Sequence, residues 1–341
     1  MMPSVGADRE DLSTVRPDGH DLPPITVAVL NFNRPAEAER TIRSVLDSDY
    51  PSDRLHVLLL DNASTDGSAE LIEGIFGDRI EILRNHPNIG PVARNRALLG
   101  AAGTYVFMFD EDCYPESSQT LRKAVEFLES EPGFGALCFC CVNRRTGMVE
   151  FGHPGNAFRT TTEDGTWDGV YVIGGGMAFR SASIEGIEGY DERLRFGGEE
   201  YDLAMELIRA RVAIAFRRDL RIVHDEAVRA EPPIRSRELD MRNNIWISFR
   251  RFPLLISPII ASLHITRRVL SALRAGNRTQ LRGYLRGIRS AVARLPEFLA
   301  TRRPVTYRQL YSYRYWFLQM FLSRPLFGHR AGADDENVDR S

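Results

Sequence analysis

Two short apolar runs, ITVAVL at 25–30 and LHVLLL at 55–60, end in polar residues and flank a segment, 37–46, whose apolar residues recur at helical spacing. That is a β-α-β unit. The alternation continues with a helix over 68–75, a strand over 80–83, a helix opening at Pro91 and a strand over 105–109. Strands buried on both faces and joined by helices predict an α/β fold with a doubly wound, mostly parallel sheet. In such sheets the ligand lies beyond the carboxyl ends of the strands. Those ends read Asn31-Phe32-Asn33, Asp61-Asn62 and Asp110-Glu111-Asp112.

After Pro115 the rhythm loosens. A helix to about 128, a cysteine-rich apolar run at 136–142 and a glycine-rich turn zone through 165 lead to a strand over 170–179. A helix follows Gly197-Gly198 and runs to about 211. On it Leu203, Ala204, Leu207 and Ile208 share one stripe, and the i+3, i+4, i+7 spacing places Glu200 there too, with Glu199, Asp202 and Glu206 on the opposite, polar side. A carboxylate aimed inward at the ligand edge is partly desolvated, which raises its pKa and suits a general base, although the helix N-terminus pulls the other way. The plainer reading is that Glu200 pairs with a buried arginine or caps the first turn. Past Glu231-Pro232-Pro233 the pattern turns arginine-rich and helical. The expected organisation is a flexible segment over 1–23, an α/β domain over 24–230, a C-terminal helical extension over 231–330 and an acidic, disordered end over 331–341.

Composition adds an asymmetry. The 341 residues, 43% hydrophobic, are enough for a real core. Net charge is -2, yet 241–330 hold about seventeen arginines against one acid, Glu297, while 1–240 are acidic overall. Arg267, Arg268, Arg274, Arg278, Arg282, Arg286 and Arg289 alternate with Leu270, Leu273, Leu281, Leu285 and Ile288. Such a pattern suits an amphipathic surface that lies on anionic lipid or docks an anionic acceptor, or else a polar face that pairs with the acidic domain. Nucleic acid is disfavoured, because no interleaved aromatics or recognition motif accompany the charge. Cys113, Cys138, Cys140 and Cys141 have no metal-ligand spacing and read as reduced, apolar fillers. The first 23 residues lack a basic start and an apolar run, so neither a signal peptide nor an anchor is expected. The apolar stretch 252–263 is shorter than the roughly 20 residues of a bilayer span and carries Pro253 and Pro258. A cytoplasmic protein is expected, peripheral to the membrane at most.

The strongest local chemical signal is VFMFDED at 106–112, a buried strand that delivers Asp110, Glu111 and Asp112 to the ligand edge. Clustered carboxylates repel, so a cation is the natural third party. An oxygen-rich set with open positions suits Mg²⁺ or Mn²⁺ bridging to substrate phosphates. An isolated acidic turn that merely caps the next helix is the alternative. Neither GxxxxGK[ST] nor a GxGxxG opening the first helix occurs, which disfavours a Walker-type ATPase and a dinucleotide dehydrogenase. Metal and arginine are left to hold phosphates.

ITVAVLNFNRP, LLLDNASTDGS, NIGPVARNRA, FDED and GGEEYDL, in this order and spacing over about 24–230, together resemble glycosyltransferase family 2. The resemblance implies a GT-A fold, a nucleotide-sugar donor with UDP as the commonest choice, a divalent metal and inversion at the anomeric carbon. It implies that Phe32, after Asn31, stacks on the base and that Asp61 accepts an imide proton. Arg94 is implied as a contact to base or diphosphate, Asp110 and Asp112 as the DxD about Glu111, and His224, at the end of an apolar strand over 220–223, as the residue completing the metal shell. Gly174-Gly175-Gly176, with Gly175 at its centre, is implied to border donor sugar and acceptor, and Glu200 stands where the family usually has the aspartate base. Acceptors left open are a glycan, a lipid-linked glycan and a natural-product scaffold. Two other readings compete: a sugar nucleotidyltransferase, disfavoured because Asn31-Phe32-Asn33-Arg34-Pro35 is no glycine-rich basic loop, and a degenerate transferase-fold scaffold docking through its basic tail.

Overall fold

A computed structural model describes residues 22–151, 166–169, 174–225 and 234–313. The apolar pattern becomes β1 (Ile25–Asn31), α1 (Pro35–Leu46), β2 (Leu55–Asp61), α2 (Ser68–Phe76), β3 (Glu81–Arg84), α3 (Asn95–Leu98) and β4 (Tyr105–Asp110). β1 is parallel to β2 and β4, and β2 to β3, which gives a parallel ribbon in the order β3-β2-β1-β4. Then follow β5 (Cys113–Pro115), α4 (Thr120–Ser130), β6 (Phe134–Asn143), β7 (Val149–Phe151), β8 (Thr166–Gly169), β9 (Gly176–Arg180), α5 (Glu199–Ala210) and β10 (Ala213–His224). They extend the sheet as β4-β9-β6-β10-β5, with β9 antiparallel to both neighbours and β6 parallel to β10. Four helices close the described chain: α6 (Ile234–Arg251), α7 (Ser257–Arg274), α8 (Arg278–Ala300) and α9 (Tyr307–Ser312). The chain therefore adopts the expected α/β fold, a curled sheet with helices and a helical C-terminal region.

Two expected elements differ in form. Instead of a helix at Pro91, a 3-10 turn over Gly90–Arg94 leads into the single turn of α3. Gly90 has φ +70°, and a Cβ there would fall 2.6 Å from the carbonyl oxygen of Arg195, so backbone proximity rather than periodicity shapes this segment. The strand expected over 170–179 begins only at Gly176, because Gly174 and Gly175 form a turn; 170–173 lie outside the described residues. The expected terminal segment over 331–341, and all of 1–23 but its last two residues, also lie outside them.

Side chains fill both faces of the sheet. Ile42, Val45, Ile72, Phe76 and Leu121 pack on Val27, Leu59, Phe107 and Phe109 on one face, while Ala97, Leu98, Leu203, Ala204 and Leu207 cover Ala28, Leu60, Val106 and Met108 on the other. A third cluster joins α5 to the C-terminal helices through Tyr201, Met205, Ile208, Trp246, Phe252 and Phe298. Within it Trp246 stacks on Phe298 with ring centroids 4.1 Å apart and donates its indole N–H to the Ala291 carbonyl at 3.0 Å.

α5 corrects the sequence reading. Its expected polar side does not exist: Glu199, Asp202 and Glu206 are buried, the last two with 0% exposure. α6 covers that side and supplies Arg251, itself fully buried, whose guanidinium donates to Asp202 through Nε and Nη2, each at 2.7 Å, and also meets Glu206. Acids on a helix look solvated until their partner, some 50 residues later, is in place. Burial alone would raise the Glu206 pKa, but Arg209 and Arg251 outweigh it and hold the carboxyl at about 2, against an ordinary 4.5. Since the folded value lies below the unfolded one, this contribution to stability is complete above about pH 4.5 and is lost as pH falls towards 2. Arg251→Ala leaves the buried Asp202 without its partner, while Glu206 keeps Arg209, and is expected to cost about 3–5 kcal/mol in urea unfolding. Arg294→Ala, which removes an exposed partner of Glu297, should leave the urea midpoint where it was. Equal midpoints for the two variants would show that the Arg251 network carries no stability.

Candidate active site

The carboxyl ends of β1 and β2 are paired in register, Asn31 opposite Asp61. Asn31, fully buried, donates to Asp61 Oδ1 at 3.3 Å and to Ser64 Oγ at 3.2 Å, and Asp61 accepts the Ser64 N–H at 3.2 Å. Asn33, at φ +55°, accepts the Thr65 N–H at 2.7 Å, which knits the two strand-end loops together. Asn62 receives the Ile89 N–H at 3.1 Å and donates to the Gly90 carbonyl at 3.1 Å, tying in the turn that carries Arg94. Phe32 projects from this polar floor with 43% exposure, so it is not a core residue.

One strand over, β4 ends at Asp110 and the chain turns through Glu111 and Asp112 into β5. β10 pairs antiparallel with β5 and sets His224 opposite Cys113, which explains how a histidine so distant in sequence reaches the acids. His224 Nε2 lies 3.7 Å from Asp112 Oδ2, and Cys113 Sγ lies 3.7 Å from Asp112 Oδ1. Asp112, Cys113 and His224 thus converge, each offering a ligand atom within 4.8 Å of the others. Asp110 turns instead to Arg94, whose guanidinium it accepts. Arg34, on the loop leaving β1, donates to Glu111 at 3.1 Å and to Asp112 at 2.5 Å. Burial would raise the Asp112 pKa, but His224 and Arg34 pull it down to about 2. Glu111, burdened by burial and by the charges of Asp110 and Asp112, is pushed up to about 7. An ionised carboxylate beside an imidazole is a donor set able to hold a divalent cation.

The third part of the site is Arg94. It is 4% exposed and lies over the Tyr190 ring at 5.8 Å, and Tyr190 is pinned by a two-way backbone clasp with the Asn95 side chain, at 2.8 and 2.9 Å. Glu200, in the first turn of α5, accepts the N–H of Gly174 and feels the Arg94 charge; burial is the largest influence on it and leaves its pKa raised. Gly174 sits close to both, since a Cβ there would fall 2.5 Å from Glu200 Oε1 and 3.6 Å from Arg94 Nη2. A Cβ on Gly175 would sit 2.8 Å from Cys113 Sγ. The glycine turn therefore presses its backbone between the acidic turn and the start of α5.

Asn31 and Asp61 form one cluster with Phe32 beside them, and Asp112 with His224 a second; Asp110, Arg94, Gly174 and Glu200 make the third. Two residues escaped the sequence reading. Arg34 follows the polar end of β1 and precedes the helix-opening Pro35, so its position was visible; its reach to the acids was not. Cys113 directly follows the acids, but a thiol in an apolar run reads as filler. It is buried with Cys141 beside it, and its pKa is raised, with the Cys141 contact foremost and burial next.

The sequence profile for glycosyl transferase family 2 matches residues 26–187. The putative teichuronic acid biosynthesis glycosyltransferase TuaG of Bacillus subtilis is 30% identical over 152 residues, 43% of this chain and 56% of TuaG. The chain thus spans about half the length of that relative. Mannosyltransferase PcManGT from Pyrobaculum calidifontis, solved with GDP-Man and Mn²⁺, superposes with a TM-score of 0.53 at 22% identity, covering 91% of this chain and 87% of that one. TarS of S. aureus, residues 1–349 with UDP-GlcNAc, gives 0.55 at 16% identity, covering 87% and 88%. At these identities the likeness shows the fold.

Proposed function

For a chain whose residues 26–187 form a glycosyltransferase family 2 domain on a GT-A fold, we propose that it moves a sugar from a nucleotide diphosphate sugar to an acceptor hydroxyl with inversion. The observation that carries this reading is the third cluster: one buried arginine, Arg94, lies between an acid of the DxD and a recessed carboxylate, Glu200, at the ligand edge of the sheet. Phe32 offers an exposed ring to the base and Asp61 a carboxylate to its imide. Arg94 and Arg34 supply fixed positive charge for the diphosphate. Glu200 takes the acceptor proton; the acceptor oxygen bonds to the anomeric carbon as the bond from that carbon to the diphosphate oxygen breaks, from the opposite face. The backbone of 174–176 borders the sugar, where glycines leave room.

Asp112 and His224 are the residues that would hold a divalent ion, while Asp110 beside them holds Arg94. A bound Mn²⁺ or Mg²⁺ supplies charge neutralisation for the departing diphosphate. That one neighbour was solved with GDP-Man and another with UDP-GlcNAc supports a nucleotide-sugar donor and leaves the base a matter for assay; UDP is the first donor to try. A glycan, a lipid-linked glycan or a natural product would serve as acceptor. Donor hydrolysis with Mn²⁺ and no acceptor, over a panel of UDP-, GDP- and dTDP-sugars read by product mass, is expected to single out one donor. Absence of hydrolysis and of binding across the whole panel would overturn the reading.

A further inference from the structure

The outer face of the C-terminal helices is apolar where a solvent-facing surface should be polar. On α7, Ile259, Leu263, Leu270 and Leu273 recur at i+4, i+11 and i+14 and are 59%, 40%, 37% and 54% exposed. They share one narrow stripe with the small Ser262 and Thr266. The turn before the helix adds Leu254 and Leu255, the latter 80% exposed. No helix among the described residues is long and apolar enough to cross a membrane, so this face is a surface and not a span.

The charges around it choose its partner. α7 contains no Asp or Glu, and it carries Arg267 and Arg274 along one flank of the stripe. After the turn at Gly276, α8 exposes Arg278, Arg282, Arg286 and Arg289, and its single acid, Glu297, is ion-paired with Arg294 at 2.7 Å. Asp240 on α6 is likewise engaged, by Arg268 at 2.7 Å. A second copy of the chain meeting this face symmetrically would set arginines against arginines, which disfavours a dimer here. Apolar teeth flanked, among the described residues, by the arginines of α7 and α8 fit a surface that is oily beneath an anionic layer. We propose that α7, with the Leu254-Leu255 turn at its head, docks the protein in the plane of an anionic lipid bilayer, the leucines entering the acyl boundary and the arginines of α7 and α8 facing the headgroups.

This inference does not depend on the transfer reading, and its test needs no donor. The full chain is floated with phosphatidylcholine vesicles with and without phosphatidylglycerol. Expected is binding to the anionic vesicles at low salt, weakened about tenfold or more as salt screens the charges, and no binding to neutral ones. Leu254→Ser/Leu255→Ser/Ile259→Ser/Leu263→Ser should cut partition about a hundredfold, and Arg278→Gln/Arg282→Gln/Arg286→Gln/Arg289→Gln about tenfold or more. Both sets lie on the surface, and a melting curve checks that each folds; if the leucine set does not, Leu255→Ser alone should lower partition several-fold. Wild-type protein that stays in the buffer fraction at low salt would overturn the proposal. So would variants that bind like wild type, or a leucine variant whose only change is conversion of a dimer to a monomer.

Discussion

Glu200→Gln is expected to keep the fold, the donor and the metal while transfer falls by about 10²- to 10⁴-fold, the usual loss on removing a general base. Glutamine preserves the volume and the hydrogen bond accepted from the Gly174 N–H, and it removes only the ability to take a proton. Because burial raises the Glu200 pKa, kcat/KM should climb with pH through that raised value: below it the carboxyl is protonated and cannot accept the acceptor's proton. The neighbouring acids separate cleanly in the same assay. The Glu199 pKa is likewise raised, by burial and by the charge of Glu200, but its carboxyl accepts the Gly197 N–H and not that of Gly174, so Glu199→Gln should be mild. Asp202 is locked to Arg251, so Asp202→Asn should appear as lost stability with little change in turnover per folded molecule. A Glu200→Gln enzyme that transfers at near wild-type rate, beside a dead Glu199→Gln or Asp202→Asn, would move the base to another acid.

Why Glu200 was legible and Arg251 was not follows from what a linear pattern encodes. The strand ends at Asn31, Asp61 and Asp110 could be located because strands buried on both faces leave apolar runs, and the polar residue that ends each run marks the ligand edge. Glu200 could be placed on the inward stripe because helical spacing is local. Pairings across long separations leave no such trace. His224 meets Cys113 only through the β5–β10 ladder, Arg34 reaches Asp112 across 78 positions, and Arg251 turns a helix side that looks polar into the interior. The 3-10 turn at Gly90 belongs to the same class, since the Arg195 carbonyl that crowds it comes from a distant loop. Glycine positions were visible, but whether each marked a turn, a strand end or a close approach depended on neighbours the sequence does not name.

Asp112→Asn should lower transfer by about 10³-fold or more, roughly 4 kcal/mol of transition-state stabilisation, and should weaken donor binding in the presence of Mn²⁺ while the protein stays folded, with a melting temperature lowered by the loss of the charge that pairs with Arg34 and His224. The carboxylate is the one acid of the turn held near pKa 2, so it is charged throughout the neutral range, and His224 Nε2 stands 3.7 Å away to complete a site with it. Asparagine keeps the shape and loses the charge. It should also loosen Arg34, whose guanidinium is shared between Asp112 and Glu111. The readout independent of turnover is Mn²⁺ binding, followed by the paramagnetic signal of the free ion: wild type should deplete that signal in the presence of nucleoside diphosphate, His224→Ala less so, and Asp112→Asn least. Asp110→Asn tests the neighbouring cluster, because Asp110 holds Arg94; it should impair donor binding even where Mn²⁺ is saturating. Excess EDTA should abolish transfer, and added Mn²⁺ or Mg²⁺ should restore it. Full activity in EDTA would mean that Arg34 and Arg94 neutralise the diphosphate by themselves, with Asp112 serving only to orient Arg34.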